Sequence, residues 1–320
     1  MHSARKPSTV GEEHMEQYLG RKVSAVGCVE LLRPFTLLAP IIVSLCIMVA
    51  SYVYNGQTDD LSMLLWTTLL PASITMALLN AASNALNQAT DVVSDSLSKP
   101  YRPIPKGIIS PWAATCVSFI LYFIAILLST VVHQVFTIFV SIIAVFSVTY
   151  SLPPRMKDKL FINQLWIALP RGLLGILASW SVFGNPFHIV PLTIGMIAML
   201  FLIGGSVTKD IMDSEADKKA GTRTLVNIYG TRTAAFIAFP FMFFPFTMIP
   251  LLIQEGVLEG YFFWLTLLII PSYLIFHFMI RDHTKSRMLE NTSAWSLMYI
   301  TYFLFAFGFS LLTVFGSLAG

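Results

Sequence analysis

Cysteine is scarce in this chain: Cys28, Cys46 and Cys116 are the three in 320 residues. They show no pairing or metal-ligand spacing, so neither a disulfide framework nor a thiolate-bound zinc site is indicated. Two of them fall inside apolar runs and read as small hydrophobes. None of the six histidines stands at ligand spacing from another ligand, and His277, within an apolar run, reads as a packed, hydrogen-bonded group. Charge is sparse too. Only 12% of residues are charged and 56% are hydrophobic, with a mean hydropathy of +0.73, which excludes an ordinary soluble domain. A net charge of +3 gives no support to nucleic-acid binding. Near the N-terminus no short apolar core is followed by a small-residue cleavage site, so residues 1–27 do not read as a secretory signal.

What is abundant is apolar sequence in long blocks. About nine segments are long enough to cross ~30 Å of hydrocarbon at ~1.5 Å per residue, near 33–54, 62–90, 111–132, 135–152, 162–183, 188–208, 232–254, 260–280 and 293–315. The expected fold is therefore all-α, a polytopic membrane bundle of nine transmembrane helices. It divides into a cytoplasmic N-terminal tail over 1–30, with an interfacial helix from about Glu12, and a transmembrane domain over 31–320. Lys and Arg set the orientation, because cytoplasmic loops retain them. The tail through Arg33 holds five of the 20, and the loops after segments two, four, six and eight hold the rest except Arg171. The opposite loops, 55–61, 133–134, 184–187 and 255–259, hold none. The expected protein is an integral, multi-pass component of the plasma membrane, its N-terminus cytoplasmic and its C-terminus outside.

The polar residues that remain are concentrated in two stretches on the cytoplasmic side. The first, NQATDVVSDSLSKPYRPIPKGIIS, spaces Asn87, Asp91 and Asp95 four apart. If the preceding helix continues through them, they stack on one face with Cβ atoms roughly 6 Å apart. Lys99, Arg102 and Lys106 follow in a proline-stiffened loop. The second, TKDIMDSEADKKAGTRTL, sets Asp210, Asp213 and Asp217 along a single helical stripe with Glu215 pointing away, and Lys218, Lys219 and Arg223 after them. Lys209 precedes the stripe. Hard oxygen ligands at this density suit Mg²⁺, which takes one or two carboxylates together with substrate phosphate oxygens. The neighbouring bases would hold the phosphate. A single charged run at a helix end is commonly a solvated loop, but two matched runs at the same ends of their helices argue against that.

Other residues qualify as parts of the same site. Asn80, Asn84 and Asn87 are costly facing lipid and should face the bundle interior. The stretch TYSLPPRMKDK brings Tyr150 to a helix end and Arg155, Lys157 and Lys159 into a basic turn, a third supplier of phosphate contacts. Arg33 is either a positive-inside anchor or a phosphate contact. Arg171, in NQLWIALPRGLLGILASW, is the only base inside an apolar segment: either Pro170 and Gly172 leave it shallow enough to snorkel, or it reaches an internal cavity and an acceptor's anionic group. Gly204 and Gly205 would let helices approach closely. The pattern of helix, acidic motif, basic loop and helix recurs loosely in both halves, which suggests a distant duplication.

Taken together, Asn87-x3-Asp91-x3-Asp95, KPYRPIPKGIIS and KDIMDSEADKKAGTRTL resemble the motifs of the UbiA superfamily of intramembrane prenyltransferases, over about residues 30 to 315. The resemblance implies nine helices around a central cavity capped by the two motif loops. It implies transfer of a prenyl group from a polyprenyl diphosphate, such as geranylgeranyl diphosphate, to a lipophilic acceptor, with Mg²⁺ as cofactor. Asp91, Asp95, Asp213 and Asp217 would match the metal-binding acids, with Asn87 and Asp210 as further candidates. Arg33, Lys99, Arg102, Lys157, Lys209 and Arg223 would serve the diphosphate, and Tyr150 would stand with Lys157 in the loop after the fourth helix. Ala216 replaces a common glycine and Val226 departs from the usual TLP, but neither removes a ligand. Within the superfamily the motifs are similar to those of digeranylgeranylglyceryl phosphate synthases of archaeal-type lipid synthesis, in which the acceptor is geranylgeranylglyceryl phosphate, and to those of chlorophyll synthases. A quinone-precursor aromatic prenyltransferase is the third reading. An ion-coupled transporter is the rival from another class, though transporters usually interrupt helices at the bilayer midplane and these acids lie at helix ends.

Overall fold

The computed structural model describes residues 25–281, 285–286 and 291–319. The interfacial helix expected from about Glu12 lies outside the described residues. The chain forms α1 (Ala25–Leu32), α2 (Pro34–Tyr54), α3 (Leu61–Thr90), α4 (Val92–Ser98), α5 (Pro111–Thr130), α6 (Gln134–Ser151), α7 (162–180), α8 (Ile189–Gly205), α9 (Val207–Ala220), α10 (Leu225–Gln254), α11 (Gly260–Arg281) and α12 (Ser293–Ala319). Lys285–Ser286 and Asn291–Thr292 form a two-residue antiparallel pairing before α12.

Local chemistry sets the ends of these helices. Arg33 takes a left-handed conformation, φ 54°, between α1 and α2, where Pro34 disfavours a helical residue before it. Ser110 caps α5 by accepting from the Ala113 N–H, and Thr224 caps α10 by accepting from that of Asn227. Each replaces an intrahelical partner that the first turn lacks. Gly221 ends α9 with φ 77°, a conformation that costs glycine little. Gly230, φ 78°, kinks α10, so the membrane-crossing part follows it, as the expected segment 232–254 implies.

Among the described residues, eight helices are long and apolar enough to cross a membrane. The ninth expected segment, 162–183, becomes α7, built of Ile162–Ala168, a π turn over Leu169–Leu174, and Gly175–Trp180. The cause is Pro170, whose missing N–H breaks the regular ladder. The helix nonetheless continues, and within the π turn the buried Tyr302 hydroxyl donates to the Arg171 carbonyl at 2.8 Å.

The long helices pack in sequence order: α2 on α3, α3 on α5, α5 on α6, α6 on α7, α7 on α8, α8 on α10, α10 on α11 and α11 on α12. The series then closes, with α12 packed against α2. One apolar cluster fills the contacts of α2, α8, α10, α11 and α12, and a second those of α3, α5 and α6. The ring leaves a central cavity of about 580 Å³.

Close backbone approach is needed where α7 crosses α8. A methyl group added at Gly172 would lie 2.6 Å from the Met199 Cα and N, and backbone cannot yield as a flexible side chain can. Gly172→Ala is expected to cost about 1–3 kcal/mol through overpacking. The thermal midpoint in detergent should fall, whereas Gly260→Ala, which meets nothing within 4 Å, should leave it unchanged.

Candidate active site

The first acidic stretch does not run along one helix. α3 stops at Thr90, Asp91 has φ −108° and ψ 22°, and α4 starts afresh at Val92. The expectation of one continuous stripe through Asn87, Asp91 and Asp95 is thus corrected to a bent one. Arg155 holds the bend: Nη1 donates to the Thr90 carbonyl at 3.4 Å and Nη2 to Asp91 Oδ1 at 3.0 Å. Beyond the bend both Asp95 oxygens accept from Arg102 Nη1, at 2.9 and 2.8 Å. Here Arg102 is only 7% exposed and Asp95 4%, so the pair is largely desolvated. The loop carrying Arg102 is pinned by Ile104 and Ile109, which pack with Leu31, Ala85 and Ala114.

The second stretch forms the single helix expected, α9, with Glu215 exposed and Asp210, Asp213 and Asp217 lining the cavity. α4 packs against it. Ser94 Oγ donates to Asp217 Oδ1 at 3.2 Å, and Lys99 Nζ contacts Asp213 Oδ1. The two motifs therefore meet directly across the cavity mouth. The basic turn after α6 adds a third side. Lys157 Nζ contacts Asp91 and stands 3.5 Å from Asn87 Oδ1. Arg155 Nε donates to Asp158 at 2.6 Å, and Asp158 Oδ1 accepts from Thr222 at 3.2 Å, tying this turn to the loop after α9. Burial pushes the Lys157 ammonium down to about 8, against the opposing charges of Asp158 and Asp217 and with the charge of Lys209 acting the same way as burial. Lys209 Nζ donates to the Tyr150 hydroxyl at 2.9 Å.

Of the residues named from the sequence, Asn87, Asp91, Asp95, Asp210, Asp213, Asp217, Tyr150, Arg33, Lys99, Arg102, Lys157, Lys209 and Arg171 all border the cavity. Arg223 does not: it is exposed, two residues past the Gly221 cap, while Lys219 lines the cavity instead. The chain itself stays at the site, since Thr222 and Thr224 on either side both line the cavity, but the Arg223 side chain is turned outward. Asn80 and Asn84 face inward as expected and bind the α1–α2 junction, Asn80 through the Thr36 carbonyl at 3.1 Å and Asn84 through the Leu32 carbonyl at 3.1 Å. Ser94 and Tyr302 were not legible as site residues. Ser94 stands three residues after Asp91, one helical turn, which was its only signal.

Among the described residues no three acids converge on one point as a ready-made metal cluster. Most are drawn to a neighbouring base. Even so, the donor set is all oxygen, and Asp210 Oδ2 is buried with no hydrogen-bond partner. Five carboxylates and the Asn87 amide around one mouth fit a hard divalent cation.

Comparison with known proteins agrees with this arrangement. Residues 37–298 match the UbiA prenyltransferase family. A digeranylgeranylglyceryl phosphate synthase of Methanosphaera stadtmanae is 25% identical over 285 residues, covering 88% of this chain and 98% of the relative. A chloroplastic 2-acyl-4-prenylphloroglucinol 6-prenyltransferase of Humulus lupulus is 28% identical over 241 residues, covering 70% of this chain and 59% of the relative. The structure of a UbiA homolog from Archaeoglobus fulgidus bound to DMAPP and Mg²⁺ has the same fold, with a TM-score of 0.66 at 19% identity, covering 91% of this chain and 99% of that one. With eight helices among the described residues long and apolar enough to cross a membrane, and a cavity that both acidic motifs line, the chain is a multi-pass membrane prenyltransferase and belongs to the UbiA prenyltransferase family.

Proposed function

We propose that the protein transfers a geranylgeranyl group from its diphosphate to geranylgeranylglyceryl phosphate, with Mg²⁺ as cofactor, at the cytoplasmic face of the membrane. The observation that carries this reading is the meeting of the two acidic helices, α4 and α9, each interleaved with bases, over an apolar cavity. Bound magnesium would act as a Lewis acid on the diphosphate oxygens, held by Asp91, Asp95, Asp213 and Asp217, with Asn87 and Asp210 at hand.

The chain's own residues do the rest. In the structure the acids neutralise Lys99, Arg102, Arg155 and Lys157. A diphosphate at the mouth offers these bases oxygens in place of carboxylates, and its leaving charge grows as the allylic C–O bond breaks, so their attraction is strongest in the transition state. Arg33 stands at the rim as a further contact. The prenyl tail lies in the apolar part of the cavity, where exclusion of water protects the allylic cation. The aromatic faces of Tyr150, Trp166 and Tyr299 on the lining stabilise positive charge. The acceptor oxygen then attacks the allylic carbon and loses its proton.

The basic cytoplasmic loops support the orientation, with the N-terminus inside. The Methanosphaera relative, matched almost end to end, supports the glyceryl phosphate acceptor. The Humulus relative supports a second reading, prenylation of an aromatic acceptor. The purified protein, incubated with geranylgeranyl diphosphate, Mg²⁺ and each acceptor, is expected to give a product heavier than geranylgeranylglyceryl phosphate by one geranylgeranyl unit. A prenylated aromatic product alone would assign the second reading instead.

A further inference from the structure

Arg171 stands apart from the other bases of the cavity. They cluster at its mouth against carboxylates, whereas Arg171 lies midway along α7, in the π turn, and Nη2 donates to the neutral Asn80 Oδ1 at 3.3 Å. Among the described residues no carboxylate pairs with it. A guanidinium at such a depth costs at least ~2.5 kcal/mol on insertion scales. The surrounding structure nevertheless fixes it in place. Tyr302 holds its carbonyl, and Gly172 locks the turn against α8. Asn80 spends its amide N–H on the Thr36 carbonyl, which turns its oxygen toward Arg171.

Depth decides what Arg171 can bind. Asn80 lies on α3 eleven residues before Asp91, which directly follows the end of that helix, so the guanidinium lies roughly 16 Å below the carboxylates at a rise of about 1.5 Å per residue. That is too far to share the donor's diphosphate. The donor's hydrocarbon tail gains nothing from a cation. We infer that Arg171 and Asn80 form a second anion subsite, deep in the cavity, that holds an anionic oxygen of the acceptor and so orients its nucleophile toward the allylic carbon. This rests on the prenyl-transfer reading. A planar guanidinium bordering the cavity suits a carboxylate or a phosphate monoester, either of which it can grip with two parallel hydrogen bonds.

The test is steady-state kinetics on the wild type, Arg171→Leu and Arg171→Lys, with geranylgeranyl diphosphate as donor. Geranylgeranylglyceryl phosphate and an aromatic hydroxy acid serve in parallel as acceptors. Loss of a charged hydrogen bond should raise the acceptor KM of Arg171→Leu by roughly 10- to 100-fold, leave the donor KM unchanged, and be partly reversed in Arg171→Lys. The acceptor whose KM moves identifies whether the anion is phosphate or carboxylate. Donor binding by calorimetry and the thermal midpoint report whether each variant is folded. If Arg171→Leu fails to fold, Arg171→Lys with a wild-type acceptor KM overturns the inference. So does a folded Arg171→Leu with wild-type KM for both acceptors, which is the result expected of a snorkelling residue. No transfer by the wild type to any acceptor would overturn the prenyl-transfer reading itself.

Discussion

Asp213→Asn is expected to insert and fold normally and to lose prenyl transfer by on the order of 10³-fold, the scale on which removing one preorganised electrostatic contact slows an enzyme. The change deletes a charge without changing size. Asp213 contacts Lys99 through Oδ1, and an asparagine amide oxygen still accepts from an ammonium, so the α4–α9 contact should survive. What is lost is one of the negative charges that would hold a divalent cation against the diphosphate. Asp91→Asn should behave alike, although it also weakens the hold on Arg155 and Lys157. Product formation followed by mass, with the thermal midpoint as folding control, gives the comparison, and chelator should reproduce the loss in the wild type. Wild-type turnover in Asp213→Asn would refute an essential role for the second acidic motif.

Arg102→Ala should have the largest effect on stability. Its partner Asp95 is 4% exposed and takes both of its hydrogen bonds from one guanidinium nitrogen. Removing the base strands a buried carboxylate, a change that costs about 3–5 kcal/mol where such pairs have been broken. The thermal midpoint in detergent should fall sharply, and Asp95→Ala added to Arg102→Ala should restore much of it, because the stranded carboxylate is then removed as well. Arg102→Lys should recover less, since an ammonium cannot reproduce the planar geometry. A double variant no more stable than Arg102→Ala would show that the guanidinium stem, not the ion pair, carries the stability.

The sequence disclosed the helices through their length and the site through its charges, because both signals are local. The stripe of α9 was legible since nothing interrupts it between Val207 and its glycine stop. The bend at Asp91 was not, because no proline or glycine marks it. Arg155, more than sixty residues away in the chain, takes up the exposed Thr90 carbonyl and the Asp91 carboxylate together. Pro170 announced an irregularity in α7, but the sequence could not distinguish a break from a π turn. The turn is bonded at the Arg171 carbonyl by the Tyr302 hydroxyl, from a different helix, a contact no local pattern announces. Arg223 was grouped with the diphosphate contacts for its place after the second motif. The helix ends at Gly221, and in the extended stretch beyond it Thr222 and Thr224 face the cavity while Arg223 between them faces out, which a linear reading of charge order misses.

The packing of α12 against α2 has a bearing on biogenesis. Ser293–Ala319 and Pro34–Tyr54 lie at opposite ends of the described sequence, so the contact between them is the most non-local in the bundle and, during synthesis from the N-terminus, the last that can form. Both acidic motifs emerge from the ribosome well before it. For that interval the nascent protein would already possess its charged residues while the chamber is still a trough, open along one flank to lipid and to water. Transfer of a carbocation-forming group demands a sealed chamber, so catalytic competence should arrive abruptly with the final helix, not grow as each motif is made.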